Sequence, residues 1–277
     1  MSSPTPTSKP TILLTPGAWH VPAHFGPLTA SLAALSYPVE TVSLPTIGAE
    51  PPAKSLSDDV AAVRAALTRL IDDEGRDVVV VAHSYGGIVV SCACEGFVKG
   101  KGREGGGVVL IVFICAGLVR KGISVFESFG RKWIGFLRME ELTKPPTPHK
   151  QNGYSIPPKT ARPPYPSAHA LLYHDLSPDD QEKYTALLQH GTTAAFLEPI
   201  TYEPWHDVPC AYIFTTKDES LPVAMQEALV KGVEEGGDVK VVFQKAYLDS
   251  SHSPFLSMPE ETTGVIDGFV NGVEGGI

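Results

Sequence analysis

The segment Val81-Ala82-His83-Ser84-Tyr85-Gly86-Gly87 carries a serine with a small residue two positions to either side. It follows Asp77-Val-Val-Val-Val-Ala82, a continuous apolar run of the kind a central parallel strand shows when buried on both faces. It opens a stretch from Tyr85 to Lys99 whose Ile88, Val89, Cys92, Ala93 and Phe97 fall on one helical face. Strand, serine, helix is the context of a nucleophile elbow, a turn so sharp that its neighbours must be small for strand and helix to pass. Such a turn aims Ser84 Oγ out of the sheet edge. It also sets the Tyr85 amide at a helix start, where the dipole favours an anion.

A serine hydroxyl attacks poorly until a base takes its proton, so a histidine and an acid are required. After an elbow of this kind they follow in the chain order serine, acid, histidine. Of nine histidines, only His252 lies beyond the last expected strand, in Asp249-Ser-Ser-His-Ser-Pro254. The acid belongs just after the preceding strand, where Thr215-Thr-Lys-Asp-Glu219 supplies Asp218, with Glu219 as the alternative. An oxyanion hole needs a second backbone N–H besides that of Tyr85, from the loop after the first strand. There Thr15-Pro-Gly-Ala-Trp-His20 offers the Ala18 N–H, with Gly17 allowing close approach. Trp19 and His20 are candidates to line a substrate pocket, and His83 reads as a scaffold histidine rather than a second base.

These groups need a sheet to hold them. Apolar, β-branched runs predict strands at 11–15, 38–44, 77–82, 108–114, 210–216 and 239–244. Helices are expected at 22–36, 55–74, 85–99, 222–235 and 259–271. The clearest is 55–74, where Leu56, Val60, Val63, Leu67, Leu70 and Ile71 share one face. Asp58 and Asp59 in its first turn read as complements to the helix dipole. The alternation implies an α/β fold, a mainly parallel sheet of about six strands with helices on both faces. Between Ala116 and Cys210 the rhythm breaks. Helices are expected there at 125–142 and 178–189, and Pro145 to Pro166 holds eight prolines in 22 residues. A structureless loop of that length is improbable in a compact domain, so an inserted helical subdomain is expected. The proline cluster would form a rigid wall of it. The organisation is then 1–10 flexible leader, 11–119 and 206–277 catalytic core, and 120–205 insertion.

Composition narrows the function. The 277 residues are 43% hydrophobic with a formal net charge of −9, which excludes a disordered chain and disfavours nucleic-acid binding. The longest apolar run, Val108 to Val119, falls short of the roughly 20 residues a membrane-spanning helix needs. The polar start MSSPTPTSKP lacks the apolar core of a signal peptide. Cys92, Cys94, Cys115 and Cys210 have neither disulfide nor zinc spacing and read as core thiols of a cytoplasmic protein. Six glycines between Gly96 and Gly107 lack a phosphate-loop pattern and read as a surface turn.

The pieces Pro16-Gly-Ala-Trp-His20, His83-Ser-Tyr-Gly-Gly87, Thr216-Lys-Asp-Glu-Ser-Leu-Pro222 and Ser251-His-Ser-Pro-Phe255 resemble the α/β-hydrolase superfamily. Within it they resemble the serine esterase branch of plant methylesterases, hydroxynitrile lyases and pyrethroid-type carboxylesterases. That resemblance implies a triad of Ser84, Asp218 and His252, oxyanion amides at Ala18 and Tyr85, and a helical cap roofing the pocket. Many relatives carry histidine where Pro16 stands and glycine where Ala82 stands, which bears on pocket shape. Lyases of the group place a threonine in the oxyanion loop and a lysine after the histidine. Here Gly17 and Ser253 stand in those places, so cyanohydrin cleavage is disfavoured.

The expected activity is cofactor-independent and metal-free: hydrolysis of a carboxylic ester or lactone of a small, largely apolar molecule. The partner is that substrate, with no nucleic acid and no membrane, and the sequence does not fix an oligomeric state. The aromatic side chains of Phe126, Phe129, Trp133, Phe136, Tyr173 and Phe196 are available to a cap. The same triad could instead serve C–C bond cleavage, lactonisation or cyclisation, or a receptor with vestigial hydrolysis.

Overall fold

The computed structural model describes residues 9–100, 102–130, 168–237 and 239–274, with the backbone of four short strand segments between 131 and 167. Six strands form one sheet: β1 (Thr11–Thr15), β2 (Val39–Thr41), β3 (Val78–His83), β4 (Val108–Ile114), β5 (Cys210–Thr215) and β6 (Phe243–Leu248). Their order is β6-β5-β4-β3-β1-β2, and every neighbouring pair is parallel. The central strands carry the β-branched runs, and β1, β3 and β5 are buried throughout. Parallel pairing requires crossovers, and helices supply them: α1 (Gly26–Ala34), α2 (Leu56–Leu67), α3 (Gly86–Ala93), α4 (Val125–Ser128), α5 (Ala168–Leu172), α6 (Pro178–Ala186) and α7 (Val223–Glu235), while α8 (Pro254–Ser257) and α9 (Pro259–Glu274) follow the last strand. α2 packs with α3, and α1 packs with α8 and α9, covering the sheet in layers.

Sheet order decides where a site can form. Winding runs outward from β1 in both directions, so the crevice between β1 and β3 at their carboxyl ends is a topological switch point. Register places Thr15 beside Ala82 and His83 beside Ile114. The loops after β1 and β3 therefore emerge side by side, with those after β4, β5 and β6 along the same edge.

The last strand is shifted from the expected 239–244 to Phe243–Leu248. Val239 and Val242 are 60% and 66% exposed, so their β-branched character reflects no burial. The real strand lies at the sheet edge and keeps only Phe243 and Leu248 buried, which hides its pattern behind Gln244 and Lys245. β2 is shorter than expected, and α3 ends at Ala93 rather than continuing to Lys99. The helix expected over 55–74 is α helical to Leu67, then widens into a π-helical turn over Thr68–Asp73.

The insertion departs furthest from expectation. Among the described residues, the helix expected over 125–142 spans Val125–Ser128, followed by Gly130 at φ +67°. Arg138–Met139 instead pairs antiparallel with Thr160–Arg162, which pairs in turn with Gly191–Thr192. The segment between β4 and β5 therefore mixes helices with short strands. Trp133, Phe136 and the side chains of the proline cluster lie outside the described residues. So do residues 1–8 of the expected leader, although Lys9 is held over the Tyr37 ring at 3.9 Å.

Candidate active site

Ser84 stands one residue beyond β3 at φ +52°, a left-handed conformation that a non-glycine residue holds only under constraint. The constraint is visible on all sides. The Ser84 N–H donates to Ile114 O at 3.1 Å, and its carbonyl accepts from Gly87 N and Gly117 N, each at 3.0 Å. A Cβ on Gly86 would meet Thr15 O at 2.6 Å and Pro16 O at 2.7 Å. One on Gly17 would meet His83 Nδ1 at 2.7 Å and Ser84 Cβ at 2.8 Å. Only glycine at both positions lets the elbow and the loop after β1 approach this closely.

The same bonds orient two amides. In a trans peptide the N–H points opposite the preceding carbonyl. Ser84 O is held by two donors on one side, so the Tyr85 N–H faces the other. Gly17 O accepts from His20 N at 3.3 Å, which turns the Ala18 N–H away in like manner. Neither amide donates to another group among the described residues, while Ala18, Ser84 and Tyr85 all line one cavity.

His252 faces the same cavity from the loop after β6. Its Nδ1 lies 2.6 Å from Asp218 Oδ2, with both side chains buried. A carboxylate accepts, so Nδ1 carries the proton and Nε2 presents its lone pair. Asp218 is placed by a tight turn after β5: Oδ1 accepts from the Ser220 and Leu221 amides at 2.8 and 2.7 Å. Oδ2 also accepts from Thr215 Oγ1 at 2.9 Å and Gln226 Nε2 at 3.2 Å. Glu219 is exposed and takes no part in this pair. Burial opposes a charge on His252, but the adjoining Asp218 carboxylate outweighs it and holds the imidazole pKa well above an ordinary histidine's.

Three further imidazoles surround this pair. His20 and His83 have ring centroids 5.0 Å apart, and His83 and His252 4.8 Å. Burial, followed for His83 by the neighbouring His252 and His20, lowers the pKa of His20, His24 and His83. These three stay neutral, so protonation within the cluster concentrates on His252. His83 Nε2 donates to His252 O at 2.9 Å, and Cys115 Sγ donates to the same carbonyl at 3.3 Å. His83 is thus a scaffold residue that joins the serine turn to the histidine loop. Among the described residues, His83, Cys115 and His252 are the one group with the composition of a metal site. Their convergence on a backbone carbonyl makes them a brace on that loop.

The cavity measures about 280 Å³. Its walls are Trp19, Ile88, Leu118, Val119, Met225 and Leu229, with Val125, Phe129, Leu172 and Phe196 from the insertion. No Lys, Arg, Asp or Glu lines it among the described residues. His20 lines it too, but both ring nitrogens are engaged, by Ala18 O at 2.8 Å and Tyr173 OH at 3.0 Å. It offers a substrate only its ring. Tyr173 lies fully buried behind His20 and is not among the lining residues.

The sequence pattern did not expose Asp59. It is buried, accepts from Thr46 N at 2.9 Å, Thr46 Oγ1 at 2.7 Å and Tyr85 OH at 2.9 Å, and so anchors the residue after the serine. It is no partner of the helix dipole, whereas Asp58 does accept from Ser55 N at the helix start. Burial pushes the Asp59 carboxyl up to about 6, against those hydrogen bonds.

The fold is that of the alpha/beta hydrolases. Residues 12–265 match the alpha/beta hydrolase family, and the chain belongs to it. It is similar to a probable hydrolase, R7, of Phoma sp. (strain ATCC 20986 / MF5453), 32% identical over 263 residues that cover 94% of this chain and 97% of that one. Among solved structures it resembles polyneuridine aldehyde esterase, with a TM-score of 0.72 at 20% identity, covering 94% of this chain and 99% of the other. It also resembles a pyrethroid hydrolase from Sphingobium faniae JZ-2, with a TM-score of 0.66 at 20% identity, covering 95% and 97%. These neighbours match the esterase branch that the sequence motifs resemble. No helix among the described residues is long and apolar enough to cross a membrane.

Proposed function

We propose that the protein is a serine hydrolase that cleaves a carboxylic ester or lactone of a small, uncharged, largely apolar molecule without a cofactor. The observation that carries this is the strained Ser84, set against the same apolar cavity as a His252–Asp218 pair bonded at 2.6 Å. The relatives named a probable hydrolase, an esterase and a pyrethroid hydrolase support the class of reaction.

In this mechanism Ser84 Oγ attacks the substrate carbonyl carbon while His252 Nε2 takes the hydroxyl proton. The carbonyl electron pair moves onto oxygen, which the Ala18 and Tyr85 N–H groups hold. Each such donor is worth roughly 10²–10³ in rate. The tetrahedral species collapses, the C–O bond to the alcohol breaks, and His252 returns its proton to the leaving oxygen. A water deprotonated by His252 then attacks the acyl-enzyme, and collapse returns the acid and the Ser84 hydroxyl. Asp218 keeps the imidazole in the required tautomer and offsets its charge.

Substrate class follows from the walls. Apolar side chains and the absence of a cation among the described lining residues disfavour a substrate with a free carboxylate, and the volume fits a molecule at the small end of ligand pockets. We assign residues 120–205 the role of a cap over a core of 11–119 and 206–277, because Val125, Phe129, Leu172 and Phe196 line the same cavity as Ser84. The four buried, unpaired cysteines support a reducing compartment, and we place the protein in the cytoplasm.

A fluorophosphonate probe tests the nucleophile, and a panel of esters and lactones tests the substrate class. One probe equivalent bound at Ser84, blocked by prior heat denaturation, together with turnover favouring small apolar esters over polar ones of similar size, is the expected outcome. Absence of labelling with the protein folded would overturn the assignment.

A further inference from the structure

The insertion does more than wall the cavity. At the end of α5, Leu172 lines the cavity with its side chain, while its carbonyl accepts from Ser251 Oγ at 3.0 Å. The next residue, Tyr173, is fully buried and donates its hydroxyl to His20 Nε2 at 3.0 Å. His20 Nδ1 faces the Ala18 carbonyl at 2.8 Å. A carbonyl can only accept, so Nδ1 bears the proton and Nε2 is the acceptor that Tyr173 fills. His20 thus grips the loop twice, with its ring on Ala18 O and its backbone N–H on Gly17 O. Asp175 then accepts from Ser251 N at 2.8 Å and Ser250 Oγ at 3.0 Å, both on the residues just before His252.

We propose that the turn Leu172–Asp175 is a positioning element that fixes the oxyanion loop, through Tyr173 and His20, and the catalytic-histidine loop, through Asp175, relative to one another. This rests on the triad reading above. Gly17–His20 and Ser250–His252 belong to loops after β1 and β6, which lie far apart in the strand order. Among the described residues this turn is bonded to both loops, and through Leu172 it also touches whatever fills the cavity. A misplacement of about 1 Å between reacting groups costs about 100-fold in rate, so partial loosening of either loop is visible in kcat.

The measurement uses hydrolysis of p-nitrophenyl butyrate by Tyr173→Phe, Asp175→Ala and Asp175→Asn, each checked for folding by its thermal melt. Two ketones of one carbon skeleton separate geometry from pocket packing. A trifluoromethyl ketone forms an Oγ–C bond with Ser84: the serine proton passes to His252 and the carbonyl pair becomes an oxyanion. The matching methyl ketone occupies the cavity without that step.

Tyr173→Phe and Asp175→Ala are expected to lower kcat about 10-fold with KM within about two-fold. Inhibition by the trifluoromethyl ketone weakens by a similar factor while the methyl ketone is unaffected. Asp175→Asn, which retains an acceptor oxygen, recovers most of the loss. Should Tyr173→Phe fail to fold, the two Asp175 variants carry the same test.

Wild-type kcat in the folded variants, or equal weakening of both ketones, would overturn the proposal. Ser84→Ala is run alongside. If it is inactive while the turn variants behave as wild type, this inference falls and the triad stands. If Ser84→Ala still turns over by the same route, both fall.

Discussion

The two ends of the parallel sheet are built from opposite materials. At the carboxyl ends of β1, β3, β5 and β6, loops converge on an apolar cavity whose polar groups are Ser84, His252 and oriented backbone amides. At the amino ends lies a second hollow, where Glu74, Arg76, Asp77 and Lys99 surround the glycines at 105–106. Four of its charges are matched in pairs, Arg76 with Glu74 at 2.8 Å and Lys99 with Asp77, and Lys9, which also lines it, reaches Asp267 at 3.5 Å. The charge facing the first cavity is that of one buried His–Asp pair, where low dielectric and fixed hydrogen bonds strengthen it. Charge at the second end is spread through ion pairs in water, where screening leaves it little. The more polar hollow is thus the one whose charges are the more strongly screened.

That contrast breaks first at Ser84 and His252. Ser84→Ala or His252→Ala is expected to lower kcat by roughly 10⁶, leaving only the contribution of the oxyanion amides and binding. Asp218→Asn comes next, at about 10⁴, because an amide at Oδ2 no longer fixes the Nδ1–H tautomer. Steady-state kinetics on the best ester of the panel decides both. A loss below about 10-fold for any of the three would mean that the cavity does not owe its chemistry to this pair.

Acidity sharpens the same point. In the proposed mechanism His252 must be neutral to accept the serine proton, and Asp218 raises its pKa above the ordinary 6.5. Turnover therefore rises with pH, with its acid limb centred on the alkaline side of 6.5, and falls about tenfold per unit below it. In the residual activity of Asp218→Asn the limb moves to lower pH, because the charge that favoured imidazolium has gone. A limb at or below 6.5 in the wild type would show that burial, not the carboxylate, dominates at His252.

Much of the candidate site is legible in the chain because its groups obey local rules. The elbow needs small residues beside Ser84 and a buried strand before it, and both are contiguous in sequence. His252 and Asp218 follow from chain order, since each loop leaves the same edge of a parallel sheet. The supports are another matter. Tyr173 meets His20, Asp175 meets Ser251, and Asp59 meets Tyr85 and Thr46 only after folding, and no periodicity marks a partner across such separations. Asp59 sat in a helix first turn, where an acid has a sufficient local explanation, and only burial shows that it faces inward. The sequence pattern misplaces β6 for the converse reason: Val239 and Val242 have strand propensity but no burial, while the true edge strand carries polar residues on its solvent side. In the insertion, helical periodicity at 125–142 gives way to short strands, whose two or three residues are too few to show alternation.

Asp59 offers a smaller effect, read in stability. Its carboxyl, pushed up to about 6 by burial, binds its proton more tightly in the folded chain than in the unfolded one, where an ordinary aspartate titrates near 4. The folded state then holds more protons between pH 4 and 6, so this group's contribution is full below that window and is lost as pH rises through it. The loss amounts to roughly 2–3 kcal/mol. Asp59→Asn, which does not titrate, should flatten that part of the stability-against-pH curve in urea melts. An unchanged slope between pH 4 and 6 would show that the charge is already compensated by Thr46 and Tyr85.

The smallest effect belongs to the opposite end of the sheet, and it is the one that completes the contrast. Arg76→Ala and Lys99→Ala each remove a cation from the polar hollow, yet the partners they leave, Glu74 and Asp77, stay in reach of water. Exposed pairs contribute little because ordering two long side chains costs about what the screened attraction returns. The expected result is kcat/KM unchanged on every ester tested and a Tm within about 2 °C of wild type. A loss of turnover in either variant would mean that the amino end of the sheet is coupled to Ser84 through β3, which begins beside Arg76 and ends at the elbow. The two ends could then no longer be treated as independent.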